Sequence, residues 1–234
     1  METENFHYFY QSLYDIDTFT PIGSEIFLRS DMNPDLLFSE AKAVNKLFEL
    51  ETKSIFKLLK VCNLINHRQL FINIYPSTVL HNDFPVFIQY VAHQFPHTKD
   101  KIVFEVIESE QILDEVFQSF KKRINLIRGL GYHIALDDVG KGWSSVSMLI
   151  ELEPKYIKLD RYFSLNLDES ALKREIIKLI IQYAEFSNSK VVLEGIEKES
   201  ELATSKILGV HIGQGFLLHK PKPLIDQGLF VIHE

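Results

Sequence analysis

The chain has 234 residues, 46% of them apolar and 24% charged, which excludes a disordered tail or a fibrous rod and suits one globular domain spanning residues 1–234. Acidic residues outnumber basic ones by 32 to 25, and a net charge of −7 repels a polyanion, so duplex nucleic acid is not an expected partner. A single cysteine, Cys62, excludes an intrachain disulfide, and no apolar run approaches the roughly 18 residues of a membrane span.

The opening, Met1-Glu2-Thr3-Glu4, lacks the basic and apolar regions of a secretory signal, so a cytoplasmic, reducing location is expected. Extended runs near residues 6–10 and 22–28 are separated by a short polar stretch, Tyr14-Asp15-Ile16-Asp17-Thr18, which predicts an antiparallel pair. Asn33-Pro34 reads as a helix cap followed by proline at the first helical position. Cys62 falls in a mixed run, 58–64, that reads as ordinary helix packing. Short β-branched or aromatic runs follow at 70–74, 101–106, 133–137, 156–159, 191–194 and 210–213. Gly129 and Gly131 suit a helix exit, and the clearest amphipathic helix covers 172–184. About eight strands alternating with helices predict a TIM-like (β/α)8 barrel, irregular at its antiparallel first pair, with a doubly wound open sheet as the alternative.

Most of these strands contain or end in a side chain that binds metals or carries protons: Glu25, Asn73, Glu105, Asp137 with Asp138, Lys158, Glu194, and Gln214 just past the last. In a barrel such positions converge at one mouth. Taken singly, an acid beside a strand is ordinarily a solvated edge, a helix cap or half of an ion pair. The recurrence matters because clustered carboxylates raise one another's pKa unless cations neutralise them. A set of carboxylates and an amide, with no histidine or cysteine, is a hard oxygen-donor set that favours Mg²⁺ or Mn²⁺ over zinc.

Neighbouring residues on an extended strand point to opposite sides, so Asp137 and Asp138 reach one cluster only at a strand-to-loop transition, where the pair is suited to bridge two metals. The following Val139-Gly140-Lys141-Gly142-Trp143-Ser144-Ser145 reads as a glycine turn with serine caps and lacks phosphate-loop spacing. Lys158 lies inside an apolar strand, where an ammonium is costly unless paired or turned to a polar cavity; an edge-strand lysine with its stem on apolar surface is the alternative. The nine histidines form no H-E-x-x-H or paired arrangement and read as structural or surface groups, and Trp143 as a core residue able to pack near a ligand base.

With these residues in place, the chain resembles the EAL-domain family of cyclic-di-GMP phosphodiesterases. The signature G-x-E-A-L-x-R is similar to Gly23-Ser24-Glu25-Ile26-Phe27-Leu28-Arg29, and the opening Y-Q-P-I to Tyr10-Gln11-Ser12-Leu13. V-N-L-S is similar to Ile72-Asn73-Ile74-Tyr75, L-E-I-T-E to Phe104-Glu105-Val106-Ile107-Glu108, and D-D-F-G-T-G-Y-S-S-L to the ten residues from Asp137 to Val146. I-K-I-D, A-E-G-V-E and Q-G-Y are similar to Ile157-Lys158-Leu159-Asp160, Leu193-Glu194-Gly195-Ile196-Glu197 and Gln214-Gly215-Phe216.

The resemblance implies a barrel, often dimeric, that hydrolyses cyclic-di-GMP to linear pGpG with two divalent metal ions. It implies that Glu25, Asn73, Glu105 and Asp137 hold one metal, that Asp137 and Asp138 engage the second with help from Glu194, and that Lys158 orients the nucleophilic water. By the same resemblance, Glu108 steadies the loop after Asp138, while Gln11, Arg29, Glu197 and Gln214 contact the substrate or its surroundings. Ile26, Phe27, Ser12, Val139 and Lys141 depart from the family pattern without removing a ligand or the lysine, and the segment after Arg29 is short. The alternative is an EAL-like module that binds cyclic-di-GMP, or an unidentified protein partner, without turnover.

Overall fold

A computed structural model describes residues 6–62, 69–108, 110–140 and 146–224. The chain enters on β1 (His7–Asp15) and returns antiparallel on β2 (Pro21–Arg29), with Gln11 opposite Glu25. The Asp15 carboxylate closes the turn by accepting the Asp17 and Thr18 amides at 3.1 and 2.8 Å, so the polar stretch is both strand end and turn. From β2 the strands run parallel through β3 (Gln69–Ile74), β4 (Ile102–Val106), β5 (His133–Val139), β6 (Tyr156–Leu159), β7 (Lys190–Leu193) and β8 (Ile212–Gly213). β8 pairs antiparallel with the Tyr14-Asp15 end of β1, which closes an eight-stranded barrel and excludes the open sheet. A ninth short strand, β9 (Lys222–Pro223), pairs with β1 at Phe9 and Tyr10.

Helices fill the crossovers that parallel strands require. α1 (Pro34–Ala43) and α2 (Leu47–Val61) follow β2, and α3 (Pro76–Leu80) and α4 (Phe84–Gln94) follow β3. Next come α5 (Asp114–Gly129) after β4, α6 (Val146–Leu152) after β5, α7 (Arg161–Ser164) and α8 (Ala171–Ser187) after β6, and α9 (Glu199–Leu208) after β7. The Asn33 side chain caps α1 by accepting the Asp35 amide at 2.9 Å, with Pro34 at the first helical position. α8 buries Ile177, Ile181 and Ala184, spaced by four and three residues, against the barrel. Among the described residues no helix is long and apolar enough to cross a membrane.

Side chains alternate in and out along each strand, so residues two apart share the barrel interior. Leu13, Phe71, Val103, Ala135, Tyr156, Val192 and Ile212 form one buried apolar layer inside it. Moving two residues toward the carboxyl ends of the parallel strands replaces this layer by Asn73, Glu105, Asp137, Lys158, Glu194 and Gln214. The antiparallel β1 contributes Gln11 by a step of two in the other direction, opposite Glu25 of β2.

Candidate functional site

The polar layer gathers around Lys158, which is 1% exposed at the centre of β6 between β5 and β7. Its Nζ lies 2.7 Å from Glu194 Oε1, 2.8 Å from Glu105 Oε1, 2.8 Å from Asp137 Oδ1 and 3.4 Å from Glu25 Oε2. Carboxylates from β2, β4, β5 and the end of β7 thus meet at one ammonium, and the edge-strand reading of Lys158 is excluded. Gln214 Nε2 donates to Glu25 Oε2 at 2.8 Å and to Gln11 Oε1 at 3.2 Å, and Gln11 Nε2 donates to the His219 carbonyl at 2.7 Å. His219 also stacks on Tyr10, and its Nδ1 accepts the Ser12 amide, so this histidine seals the floor of the Gln11–Gln214 contact.

The electrostatics follow from one cation facing four acids in a buried place. Burial, and then the charge of Glu25, hold the Glu105 carboxyl well above the usual carboxylate range, against the pull of Lys158. Burial likewise pushes Glu194 up to about 8, with Lys158 opposing and Asp137 and Glu25 adding to the rise. Lys158 shows the converse: burial acts to lower its pKa, but the surrounding carboxylates outweigh it and hold the ammonium well above the ordinary lysine value.

Asp138 joins the site through a backbone device. Its φ of +51° is left-handed, and the β5–β6 register shifts between Leu136 and Val139, so consecutive aspartates no longer point to opposite faces. Oxygens of Asp137, Asp138 and Glu194 consequently come within 4.8 Å of one another. Asp138 is pushed up to about 6 by burial and by the charges of Asp137, Asp160 and Glu108. After Glu194, Gly195 takes φ +66°, and a Cβ there would lie 2.3 Å from Arg161 Cγ; only glycine lets the chain turn this close.

The donor set fits divalent cations. Glu105 Oε2, Asn73 Oδ1 and Gln214 Oε1 are buried oxygens that accept no aligned hydrogen bond from the described residues. One ammonium among four carboxylates also leaves a surplus of negative charge. Hard oxygens with unspent lone pairs are what Mg²⁺ and Mn²⁺ prefer, and none of the site's donors is sulfur or imidazole.

The other expected contact residues lie at different distances from this centre. Arg29, at the end of β2, stands over the Phe9 and Phe27 rings at 5.8 and 5.5 Å. It lines a cavity of about 360 Å³ that also reaches Asn73 and Asp137, so Ile26 and Phe27 border the cavity without closing it. Glu197 pairs with Arg161, at 2.8 Å. Lys141, Trp143, Ser144 and Ser145 lie outside the described residues.

Two buried acids escape the strand-end reading because they sit on helices. Glu201 of α9 accepts the amides of Asn166, Glu197 and Lys198 at 3.0, 2.9 and 3.1 Å, fixing the loop that follows Glu194. Glu51 of α2 is 4% exposed and accepts the Tyr75 amide at 3.2 Å. The available signal for Glu51 is a break in an apolar helix face, since Leu47, Leu50, Ile55 and Leu58 are buried around it.

Comparison with known proteins places this geometry in a family. The chain is 27% identical over 210 residues to the cyclic di-GMP phosphodiesterase PdeF of Escherichia coli K12, covering 90% of this chain and 26% of PdeF. It is 25% identical over 234 residues to the cyclic di-GMP phosphodiesterase RocR of Pseudomonas aeruginosa PAO1, covering 95% of this chain and 59% of RocR. The chain therefore spans between about a quarter and three-fifths of these two relatives. In fold it is similar to the PaMucR phosphodiesterase in its c-di-GMP complex, with a TM-score of 0.82 at 23% identity, covering 94% of this chain and 97% of that one. It is equally similar to Klebsiella pneumoniae BlrP1 in a manganese and cy-diGMP complex, with a TM-score of 0.82 at 24% identity, covering 95% of this chain and 57% of that one. The family model described as EAL domain matches residues 1–221, and the chain belongs to that family.

Proposed function

We propose that this chain, acting as one barrel unit over residues 1–234, hydrolyses cyclic-di-GMP to linear pGpG in the bacterial cytoplasm with two divalent cations, Mg²⁺ or Mn²⁺. The observation that carries this reading is the surplus of carboxylates around the buried Lys158, beside a cavity that reaches Asn73 and Asp137. Phosphodiesterase names among relatives at 25–27% identity support the reaction class.

Glu25, Asn73, Glu105 and Asp137 would hold one cation, and Asp137 and Asp138, with Glu194, the second. Bound there, the cations would supply Lewis-acid charge to the phosphodiester oxygens and to the attacking water. The acids of this rim otherwise repel an anionic ligand, which is why an acidic protein needs them neutralised. Lys158, held protonated by its neighbours, donates hydrogen bonds and cannot serve as a base; it orients the water and steadies phosphoryl charge. Water adds to phosphorus, the bond to the 3′ oxygen breaks, and the proton given up by the water ends on that leaving oxygen. Glu108 supports Asp138, Arg29 faces the ligand from the cavity wall, and Gln11 and Gln214 hold Glu25 in place; Glu197 acts through Arg161. A homodimer fits the exposed apolar side chains Leu172, Ile176 and Leu179 on α8.

The test is incubation with cyclic-di-GMP and Mg²⁺ or Mn²⁺, followed by chromatography. Linear pGpG that disappears in Glu105→Gln and Lys158→Met supports the enzyme. Tight binding without product identifies a receptor, and neither result leaves a protein-interaction module.

A further inference from the structure

On the side away from β2, β1 is flanked by two short strands that leave a gap between them. β9 pairs with Phe9 and Tyr10, and β8 with Tyr14 and Asp15, so the ladder on this side skips Gln11, Ser12 and Leu13. Backbone groups of a strand alternate between its two neighbours; the Tyr8 carbonyl accepts the Leu224 amide at 2.7 Å on the β9 side, and Ser12, four residues on, faces the same way. Between β8 and β9 the chain turns instead onto the loop after Glu194. There the Ile196 amide donates to the Gln214 carbonyl at 3.0 Å and the Leu217 amide to the Ile196 carbonyl at 3.1 Å. The approach is so close that a Cβ on Gly215 would lie 2.1 Å from the Ile196 carbonyl oxygen. Ser12 is 3% exposed, and an amide left unpaired at such a place is costly. His219 supplies the missing partner: its Nδ1 accepts the Ser12 N–H at 3.2 Å, which requires the neutral ring with its proton on Nε2.

The same residue also governs Gln11. Its backbone carbonyl accepts Gln11 Nε2 at 2.7 Å, and a carbonyl only accepts, so the Gln11 amide is fixed with its nitrogen toward His219 and its oxygen toward Gln214. That oxygen takes Gln214 Nε2 at 3.2 Å, and the same nitrogen reaches Glu25 Oε2 at 2.8 Å. The orientation of each amide thus dictates the next. We infer that His219 is a positioning residue for Glu25: its ring stands in for an absent strand beside Ser12, and its carbonyl sets the direction of the Gln11–Gln214 relay that holds the carboxylate for a cation. The inference rests on the proposed two-cation reading and deepens it by naming a residue outside the polar ring on which the placement of one ligand depends. With a carbon in place of Nδ1, the Ser12 amide loses its acceptor and the turn that carries the His219 carbonyl loses its hold on β1. The relay is then unset, and a Gln214 oxygen turned toward Glu25 repels it.

Calorimetric titration of the full chain with Mn²⁺, without substrate, tests this, and melting in chelator shows that each variant is folded. The His219 ring stacks on Tyr10 with centroids 5.4 Å apart, so two variants separate stacking from hydrogen bonding. His219→Phe keeps a ring on Tyr10 and removes the acceptor; it should weaken Mn²⁺ binding by about 10- to 100-fold, the effect of disturbing a group that orients a metal ligand. His219→Asn loses the ring but places an oxygen where Nδ1 stands, and should keep the affinity within a few-fold of wild type. Wild-type affinity in His219→Phe, or equal losses in both variants, overturns the inference and returns His219 to packing alone. Should His219→Phe not fold, Gln11→Met takes its place by cutting the relay directly. It should weaken Mn²⁺ binding by about tenfold or more while His219→Asn does not, and any other outcome overturns the inference. A wild type that binds no Mn²⁺ overturns the two-cation reading and the inference with it, whereas wild-type binding that His219→Phe leaves unchanged overturns only the role of His219.

Discussion

Two rings of side chains lie inside the same barrel, one residue pair apart, and they obey opposite rules. The lower ring, from Leu13 to Ile212, is apolar and stabilises by exclusion of water; Phe71 and Tyr156 meet edge to face at 4.9 Å within it. The upper ring holds four carboxylates against one ammonium, with oxygens left unsatisfied. Burial that makes the first ring firm makes the second a strained reservoir of charge, because desolvation raises acid pKa values and one lysine does not balance four acids. A closed barrel thus supplies a rigid base, and the next step along each strand places chemistry on it.

The sharpest way to break the contrast is to remove the upper ring's single cation. Lys158→Met should lower turnover about 10²- to 10⁴-fold and destabilise the metal-free fold by about 3–5 kcal/mol, the cost of leaving buried acids unpaired. Steady-state rates and chemical denaturation in chelator measure both, and a variant with wild-type stability would mean that the acids do not depend on the lysine. In the lower ring, Phe71→Ala should cost about 3–5 kcal/mol by denaturation while turnover at low temperature stays within a few-fold. Comparable losses of rate in both variants would erase the division between the rings.

Proton linkage sharpens the same contrast. Glu105 and Glu194, the latter up to about 8, hold protons in the fold that an unfolded chain has released, and Asp138, up to about 6, does so over the lower part of the range. The native state therefore binds more protons than the unfolded one between about pH 4.5 and pH 8, and metal-free stability falls as pH rises through that window. Glu51, also pushed up to about 8 by burial, contributes with the same sign. Mn²⁺ binds the deprotonated acids, so it should raise the melting temperature more at about pH 8 than at about pH 6. The portion of the pH loss that Mn²⁺ does not restore belongs to groups outside the upper ring, Glu51 first. A cation effect that shrinks as pH rises would rule out these acids as its ligands.

Smaller effects are expected away from the rings. Glu201→Ala removes the acceptor for three backbone amides and should cost about 1–3 kcal/mol, with a loss of turnover well below that of Lys158→Met because Glu201 acts only through the loop after Glu194. Lys178, paired at 2.7 Å with Glu175 on the exposed side of α8, is the control. Lys178→Ala should change stability by less than about 0.5 kcal/mol and leave turnover at the wild-type rate.

The order of elements and the identity of the upper ring were legible in the chain, because strand periodicity and polar residues in apolar runs are local properties. Val103 and Glu105, Tyr156 and Lys158, Val192 and Glu194 each show the step of two within a single strand. The antiparallel start was legible too, since five residues cannot carry a parallel crossover. The runs at 133–137 and 210–213 differ from the observed strands at their ends, because pairing partners settle where a ladder stops.

What only the tertiary structure decided concerns distance between segments far apart in sequence. Closure of β8 onto β1 chose the barrel over the open sheet, and the left-handed turn at Asp138 brought consecutive aspartates to one cluster. Glu197 went to Arg161, and Glu51, hidden in an apolar helix face, came to line the same cavity as Asn73. Local patterning specifies which face of an element is apolar, but Coulomb energy and desolvation depend on which charges meet in space, and that is known only once the chain has closed on itself.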